Sequence, residues 1–352
     1  MISNIDSYFF SLDIEEYDNN NQDLIQNLEL AKNEAKENKL EEHTIELASK
    51  KFIILPNGAR FHAFILHNDS MELKFAQGRS KSQSNYPVAV RIKSLKLWEK
   101  GFEAAYDETI ETIKQIVKGD IIAEKISRAD MCCHTDTLGD ININDWRGTF
   151  RKLELHYFNR SINGLTFGTF EDKNTMCRVY DKSLEIKSSN KLWFRSIWIK
   201  AGLDPDKVWN VEYQIGRTYF KERNIETTYD FIIQMRGIWE SLTTQFVVYI
   251  DRVNERSTRC PLKTCWIDIH NAFNKYYKQY PIKRVKQLNK RAEALIPLFV
   301  GVMTSYGACK NNITVDQVLD NFKEDLKIYL KEKKDNIPIE QIILDKIDFM
   351  YS

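Results

Sequence analysis

One short segment of the sequence combines a tyrosine with two basic residues at the spacing of a β-strand. In the run Arg178-Val179-Tyr180-Asp181-Lys182 alternate side chains of an extended backbone share a face, so Tyr180 lies beside Arg178 and Lys182. The two cations could hold a phosphate and favour the phenolate, which could then form a covalent bond to phosphorus. The pentapeptide alone also fits a half-exposed strand with a packed tyrosine.

Two further segments predict strands with one polar and one apolar face. In Ile126–Asp136, a period of two residues places on one face Arg128, Asp130, Cys132, His134 and Asp136. Carboxylates and an imidazole on one face could bind a hard divalent cation, and a water-facing polar surface is the alternative. The segment Trp209–Ile215 repeats the pattern, with Asn210, Glu212 and Gln214 on its polar side. Three such strands predict a sheet that carries an active site.

In order and spacing these segments resemble the Rep_trans family. The family comprises replication initiation factors of rolling-circle plasmids, with relaxases of integrative conjugative elements and initiators of some filamentous phages. The matching pieces are Ser127-Arg128-Ala129-Asp130, Gly164 to Thr169, Arg178 to Lys182 with Glu185, Val211-Glu212, and a loose Arg259-Cys260-Pro261 followed by Trp266. Two positions depart from the family pattern, because Asn210 and Phe170 stand where it has arginine.

The resemblance implies a metal-dependent DNA endonuclease and strand transferase. Mg²⁺ or Mn²⁺ would be held by Asp130 and Glu212, with Asp136 or His134 as additional ligands, and would polarise the scissile phosphate of an extruded single strand.

Tyr180 would be the nucleophile of this reaction. Its ordinary pKa is about 10, so Arg178, Lys182 or the metal must lower it, or Glu185 must take its proton. The product would be a 5′-phosphotyrosine and a free 3′-hydroxyl. That hydroxyl could prime a host polymerase at a replication origin, or the strand could pass to a conjugation channel in a relaxase. A relative that binds DNA without cleaving it is a further alternative.

Charge is unevenly distributed along the chain, although its formal net value is only +1. Acidic residues dominate from Asp6 to Glu42, and the remainder is basic. Arg128 is one predicted DNA-binding residue. The others lie in a run that contains no acidic residue, and they are Lys283, Arg284, Lys286, Lys290 and Arg291. A solvated helix face is the alternative for that run, and Lys191, Arg195 and Lys200 are the next candidates.

The resemblance also implies partners. These are origin or oriT DNA, expected to carry an inverted repeat, a host helicase and a host polymerase; a homodimer is left open. The sequence has no Gly-x-x-x-x-Gly-Lys-(Ser/Thr) loop, so the helicase should be a separate protein.

Composition is that of an ordinary soluble protein. With 352 residues, 43% hydrophobic and 29% charged, the chain can bury one large core or two modest ones. No apolar run approaches the ~20 residues that span a bilayer, and no signal peptide is evident, so the sequence predicts a cytoplasmic protein without membrane contact. The cysteines lack zinc or disulfide spacing.

Hydrophobic periodicity predicts an α+β fold, with a largely antiparallel sheet, helices packed on one face, and a helical C-terminal region. Three parts are predicted: residues 1–45 as an acidic accessory segment, 46–282 as a nicking and joining nuclease domain, and 283–352 as the helical C-terminal region.

Overall fold

The protein divides into two compact units, Met1–Lys283 and Arg284–Ser352. The division lies one residue beyond the predicted start of the helical C-terminal region. The computed structural model describes residues 1–37, 43–79, 85–139, 141–170, 175–275, 288–312, 314–333, 338–341 and 343, and for 288–294 and 333 it describes the backbone alone.

Within the described part of the first unit, the strands form a large antiparallel sheet. The strands are β1 Ile2–Ile14, β2 Thr44–Leu47, β3 Lys50–Ile54, β4 Phe64–His67, β5 Met71–Phe75, β6 Val88–Ile92, β7 Ile121–Thr135, β8 Trp146–Gly148, β9 Leu153–Phe158, β10 Ser161–Phe167, β11 Thr175–Asp181, β12 Trp209–Gly216 and β13 Val247–Tyr249. The large sheet has eleven strands in the order β2-β3-β4-β5-β6-β1-β7-β12-β11-β10-β9, and β8 pairs with β13 separately.

The helices follow the predicted distribution, with the longest pair in the C-terminal unit. They are α1 Tyr17–Asn20, α2 Gln22–Glu37, α3 Ser94–Lys100, α4 Phe102–Ile116, α5 Lys182–Ser188, α6 Phe194–Lys200, α7 Arg217–Lys221, α8 Thr228–Ser241, α9 Thr264–His270, α10 Leu288–Cys309 and α11 Val315–Lys333. The α+β prediction is confirmed. Among the described residues, none of these helices has the length and apolar content needed to span a membrane.

The two faces of the sheet have different chemistry because apolar and polar residues alternate along its strands. On one face, Val179 of β11, Val211 of β12 and Cys133 of β7 are fully buried. Helix α8 covers this face, where Tyr213 and Trp239 meet with their ring centroids 5.2 Å apart. We call the opposite side, which carries the alternate residues of these strands, the open face. At His134 this face is covered by Trp98 of α3 and Trp198 of α6.

Strand β1 occupies the centre of the sheet, between β6 and β7. Its residues Phe10, Leu12 and Ile14 are buried on the helix-covered face. A register shift between Ile5 and Ser7 places Asp6 in a β-bulge. Residues 2–37 therefore supply a central strand and packed helices of the first unit, whereas the sequence predicts an acidic accessory segment over residues 1–45. Alternating apolar residues, rather than the acids between them, decide where this segment lies.

Candidate active site

Register pairing brings the predicted tyrosine and glutamate to the open face of the sheet. In the antiparallel pair of β11 and β12, Tyr180 lies opposite Asn210 and Arg178 lies opposite Glu212. Directly opposed residues point to the same side, so the four side chains form one group. Arg178 and Glu212 are joined by an ion pair.

The hydroxyl of Tyr180 is held by three polar side chains. It donates a hydrogen bond to Oε2 of Glu212 at 3.1 Å. It accepts hydrogen bonds from Nζ of Lys182 at 3.2 Å and from Nδ2 of Asn210 at 2.9 Å. The tyrosine is half-buried. This arrangement presents a neutral phenol whose proton already points at a carboxylate and whose oxygen faces two donors.

The acidity of Tyr180 differs from the sequence-based expectation. Burial raises its pKa well above the ordinary value, and the carboxylates of Glu212 and Asp6 raise it further, against the opposing effects of Arg178 and the Asn210 hydrogen bond. The guanidinium of Arg178 favours the phenolate, but desolvation and the carboxylates outweigh it. Attack by this tyrosine therefore needs a group that accepts its proton during the reaction.

Glu185 is placed to neutralise Lys182. Asp181 caps α5 by accepting the N–H of Leu184 at 2.9 Å, and Glu185 lies in the first turn of that helix. One carboxylate oxygen of Glu185 is 2.8 Å from Nζ of Lys182, whose side chain is 1% exposed. Among the described residues, the carboxylate that accepts the Tyr180 hydroxyl is Glu212, and the role expected of Glu185 stays a prediction.

Asp6 is a charged member of this site that the sequence did not reveal. Its Oδ1 accepts hydrogen bonds from Oγ of Ser94 at 2.7 Å and from Nε1 of Trp98 at 3.0 Å. Burial raises the pKa of Asp6, but Lys182, Lys191 and the hydrogen bond from Ser94 act against it, and the pKa lies below the ordinary value. Burial likewise lowers the pKa of Lys182, yet Asp6 and Glu185 raise it above the ordinary value. The ammonium group beside Tyr180 thus stays charged.

The predicted metal ligands Asp130 and Glu212 are both engaged by other side chains. Arg128 donates to the two oxygens of Asp130 at 2.8 and 2.7 Å. Burial raises the pKa of Asp130 to about 6, with a further contribution from Glu212 and an opposing one from Arg128. The oxygens of Glu212 contact Arg178, Tyr180 and Asn210, the last at 3.1 Å.

The two additional ligands proposed from the sequence serve other contacts. His134 is fully buried, and its Nδ1 accepts the indole N–H of Trp198 at 3.0 Å. Burial lowers its pKa to about 3, with Lys182 acting in the same direction. Asp136 accepts the backbone N–H of Asp204 at 2.9 Å, beyond the end of β7.

The described residues consequently do not present a ready site for Mg²⁺ or Mn²⁺. They contain no group of three or more His, Cys, Asp or Glu side chains that could hold a metal ion. Because the two central carboxylates are paired with arginines, a divalent cation would have to displace those contacts.

The two positions that depart from the family pattern both contact the site. Asn210 is fully buried and donates to both Tyr180 and Glu212, so an amide links the phenol and the carboxylate. Phe170 packs against Arg128, whose guanidinium carbon lies 5.6 Å from its ring centroid.

Gly164 places no side chain beside the phenol of Tyr180. It lies opposite Tyr180 on β10, and a Cβ added there would be 3.4 Å from the Cβ of Tyr180 and 3.5 Å from His156. A methyl group fits at these distances, and a longer side chain would extend over the phenol.

The predicted DNA-binding residues fall into three groups. Arg128 lies on the open face. Lys283, Arg284 and Lys286 lie outside the described residues. Lys290 and Arg291 belong to α10, where the backbone alone is described. The helical prediction for that part of the run agrees with the structure, and its contact with DNA stays a prediction.

Comparison with known proteins gives likenesses to solved structures alone. No family model matches the chain, and no curated protein matches it. Among solved structures, a rolling circle replication initiator protein from Geobacillus stearothermophilus is 14% identical, with a TM-score of 0.43, over 79% of this chain and 99% of that one. A likeness of this size carries no functional argument.

Proposed function

We propose that this protein nicks and rejoins one strand of DNA through a covalent bond between Tyr180 and the 5′-phosphate. The observation that carries the proposal is the hydroxyl of Tyr180, which donates to Glu212 and accepts from Lys182 and Asn210. A carboxylate that takes a proton and two donors that face the oxygen are the parts a phenol needs to act as a nucleophile.

The reaction follows from these contacts. Glu212 takes the phenolic proton as the oxygen of Tyr180 attacks phosphorus, and the bond from phosphorus to the 3′-oxygen breaks. The leaving 3′-oxygen takes a proton from solvent, which gives a free 3′-hydroxyl and a 5′-phosphotyrosine. Lys182 and Asn210 stabilise the charge that develops on the phenolic oxygen. Rejoining is the reverse, with the 3′-hydroxyl as nucleophile and Tyr180 as leaving group.

Arg178 supports the choice of a phosphodiester as substrate. Its side chain is 40% exposed beside Tyr180, although its guanidinium pairs with Glu212. Glu212 raises the pKa of Arg178 above its ordinary value, against the effect of burial. A permanently charged, partly exposed guanidinium next to the attacking oxygen suits the negative oxygens of a phosphate.

Within this chemistry we favour initiation of rolling-circle replication at an origin, where the 3′-hydroxyl primes synthesis. The motifs around Asp130, Tyr180 and Glu212 that resemble replication initiation factors support this choice. Origin DNA, a host helicase and a host polymerase are the partners that this function requires. A relaxase of a conjugative or mobilisable element would use the same side chains, and strand fate in the cell would separate the two.

A protein that binds DNA without cleaving it is the second candidate. The raised pKa of Tyr180 and the pairing of Asp130 with Arg128 favour it, because the resting site holds a neutral phenol and no open metal site among the described residues. In that case the open face would bind a strand and no phosphotyrosine would form.

The test is formation of a covalent adduct on DNA. Supercoiled plasmid and single-stranded oligonucleotides that tile the DNA around the encoding gene are incubated with the protein in Mn²⁺, in Mg²⁺ or in EDTA, and adducts are resolved under denaturing conditions. Tyr180→Phe should abolish the adduct and leave DNA affinity within a few fold. The matched control is Tyr157→Phe, at an exposed tyrosine of β9.

Each outcome separates the candidates. An adduct that persists in Tyr180→Phe would rule out this nucleophile. DNA binding without an adduct in any wild-type reaction would favour the non-cleaving protein. An adduct formed only with a divalent cation would support the predicted Mg²⁺ or Mn²⁺ and require Asp130 or Glu212 to leave its arginine.

A further inference from the structure

Away from Tyr180, the open face carries guanidinium groups and aromatic rings in alternation. The guanidinium carbon of Arg91 lies 5.0 Å from the ring centroid of Phe9, and that of Arg128 lies 4.9 Å from the same ring. Arg128 also lies 5.6 Å from the ring of Phe170. We call these four side chains, Arg91, Phe9, Arg128 and Phe170, the cation–ring ladder.

The cation–ring ladder shares the face of the sheet that carries Tyr180. Phe9 lies opposite Arg91 on β6 and opposite Arg128 on β7, and Arg128 in turn lies opposite Gly216 on β12. Asn210, which pairs with Tyr180, points to the same side as Gly216 because the two are six residues apart on one strand. At ~3.3 Å per residue and ~4.8 Å per strand, Phe9 lies about 25 Å from Tyr180.

The members of the ladder are half-buried, whereas Ala129 and Ile92, which follow Arg128 and Arg91 and point to the other face, are fully buried. Phe9 is partly exposed between Tyr8 and Phe10, which are 0% and 1% exposed on the helix-covered face. A phenylalanine that only filled space would be expected on that buried face. Here the ring instead lies on the polar side, between two cations.

Within the described residues, Arg91 is the arginine of the ladder whose charge is not paired with a carboxylate. Its Nε donates to Oγ of Ser7 at 3.1 Å. The acid opposite it in register is Glu72, whose carboxylate pairs with Lys74 at 3.1 Å. Within the described part of the chain, no carboxylate forms an ion pair with Arg91, whereas Arg128 is paired with Asp130. Arg91 can therefore contact a phosphate without losing an ion pair.

We propose that the cation–ring ladder binds unpaired bases of the DNA strand whose phosphate reaches Tyr180. Bases stack on aromatic rings and on guanidinium planes without sequence preference, and adjacent arginines contact the backbone. A duplex hides its bases, so this surface selects an extruded single strand. The ladder thus deepens the proposed nicking function and rests on it, since it sets which form of DNA enters the site.

The test compares Phe9→Leu with Tyr229→Leu. Leucine keeps apolar volume at position 9 and removes the aromatic face, and Tyr229 is 71% exposed on α8, in the helical layer. Affinity for a labelled single-stranded oligonucleotide is measured by fluorescence anisotropy in the Tyr180→Phe background at several salt concentrations. Phe9→Leu should weaken binding about fivefold or more, as expected for a lost base stack, and leave duplex affinity unchanged.

The salt dependence separates stacking from charge. Phe9→Leu removes no cation, so the slope of log affinity against log salt should stay the same. Arg91→Gln should lower that slope by about 0.7, the value expected for one phosphate contact on a single strand. When a single abasic nucleotide is moved along the oligonucleotide, one position should weaken binding by the protein that keeps Phe9. With the abasic nucleotide at that position, Phe9→Leu should cause no further loss of affinity.

Two results would overturn the role of the ladder. One is a single-strand affinity of Phe9→Leu that lies within twofold of that of Tyr229→Leu. The other is a weaker affinity of Phe9→Leu when no abasic position weakens binding by the protein with Phe9. If Phe9→Leu fails to fold, Arg91→Gln with the abasic scan decides. Adduct formation is measured separately with Tyr180 present. If the wild type forms an adduct and Phe9→Leu binds single strands normally, the ladder is refuted and the nicking function stands. If Phe9→Leu binds single strands more weakly and the wild type forms no adduct, the ladder stands and the nicking function is refuted.

Discussion

Replacing Glu212 by glutamine tests whether this carboxylate takes the proton of Tyr180. The amide keeps the shape of the side chain and an oxygen that can accept the hydroxyl of Tyr180. In the wild type this hydroxyl is 3.1 Å from Oε2 of Glu212. It loses the charge that makes the group a base. A positioned general base contributes about 10²–10⁴-fold, so the rate of adduct formation at neutral pH should fall by about 100-fold or more.

The pH dependence of that loss follows from the pKa of Tyr180. Burial and then the Glu212 carboxylate raise this pKa, so Glu212→Gln removes the second cause and lowers the pKa of Tyr180 towards its ordinary value. As the pH rises towards that lower pKa, the fraction of phenolate in the variant increases and no base is needed. The deficit relative to wild type should therefore shrink between about pH 7 and pH 9.5.

The assay is single-turnover adduct formation on a labelled oligonucleotide across this pH range. Glu154→Gln is the matched control, because Glu154 is an exposed glutamate of β9 that pairs with Lys152. The control should react within twofold of wild type. A wild-type rate for Glu212→Gln at pH 7 would refute proton transfer to this residue. A deficit that stays constant with pH would show that Glu212 acts in another way.

Three further predictions concern stability and access. Burial raises the pKa of Asp130 to about 6, so the folded state binds this proton more tightly than the unfolded chain does and loses up to about 3 kcal/mol as the pH rises from 4 to 7. In urea titrations, the stability of Asp130→Asn relative to wild type should accordingly be higher at pH 7.5 than at pH 4.5, and an equal difference would contradict the shift. Gly164→Leu should cover Tyr180 and abolish the adduct in the adduct assay, while Gly164→Ala keeps activity within a few fold because a Cβ fits there; an active leucine variant would show that substrate enters from elsewhere. Deleting residues 1–14 removes the central strand, so circular dichroism should show loss of cooperative thermal unfolding, and a truncated protein that melts like wild type would contradict the placement of β1.

Most of the sheet could be predicted from the sequence because polar and apolar residues alternate clearly along many of its strands. The segments that became β7, β11 and β12 were recognised from polar and apolar residues at a period of two, and the register then placed Tyr180 and Glu212 together. The acidic residues between Asp6 and Glu42 conceal strand β1 in the charge pattern, and the strand is visible in the alternation of its apolar residues. Phe10, Ser11, Leu12, Asp13 and Ile14 alternate as clearly as any strand of the site.

The parts of the site that the sequence could not give depend on long-range contacts. Asp6 reaches the site because a bulge and a neighbouring helix place it there, and neither leaves a local signal. The roles of Glu185 and Glu212 depend on which carboxylate contacts the phenol of Tyr180. The distance from the phenol to Glu212 is set by the pairing of β11 with β12, and residue spacing along the chain does not give it. Asn210 looked like the loss of a cation, and its amide turned out to join the phenol to its carboxylate.

The central position of β1 has a consequence for how the protein folds. Ile2 pairs with His134 and Ile14 with Ile121, so the middle of the sheet closes only when segments far apart in sequence meet. Loop closure of this kind has an entropic cost before any contact repays it, and sheets dominated by such pairings fold slowly, in about milliseconds to seconds for small domains. Strand β7 carries Asp130 and pairs with both β1 and β12, so the candidate catalytic centre forms together with this closure. We therefore expect the chemistry of the open face to be absent from any partly folded form that lacks the β1–β7 pairing.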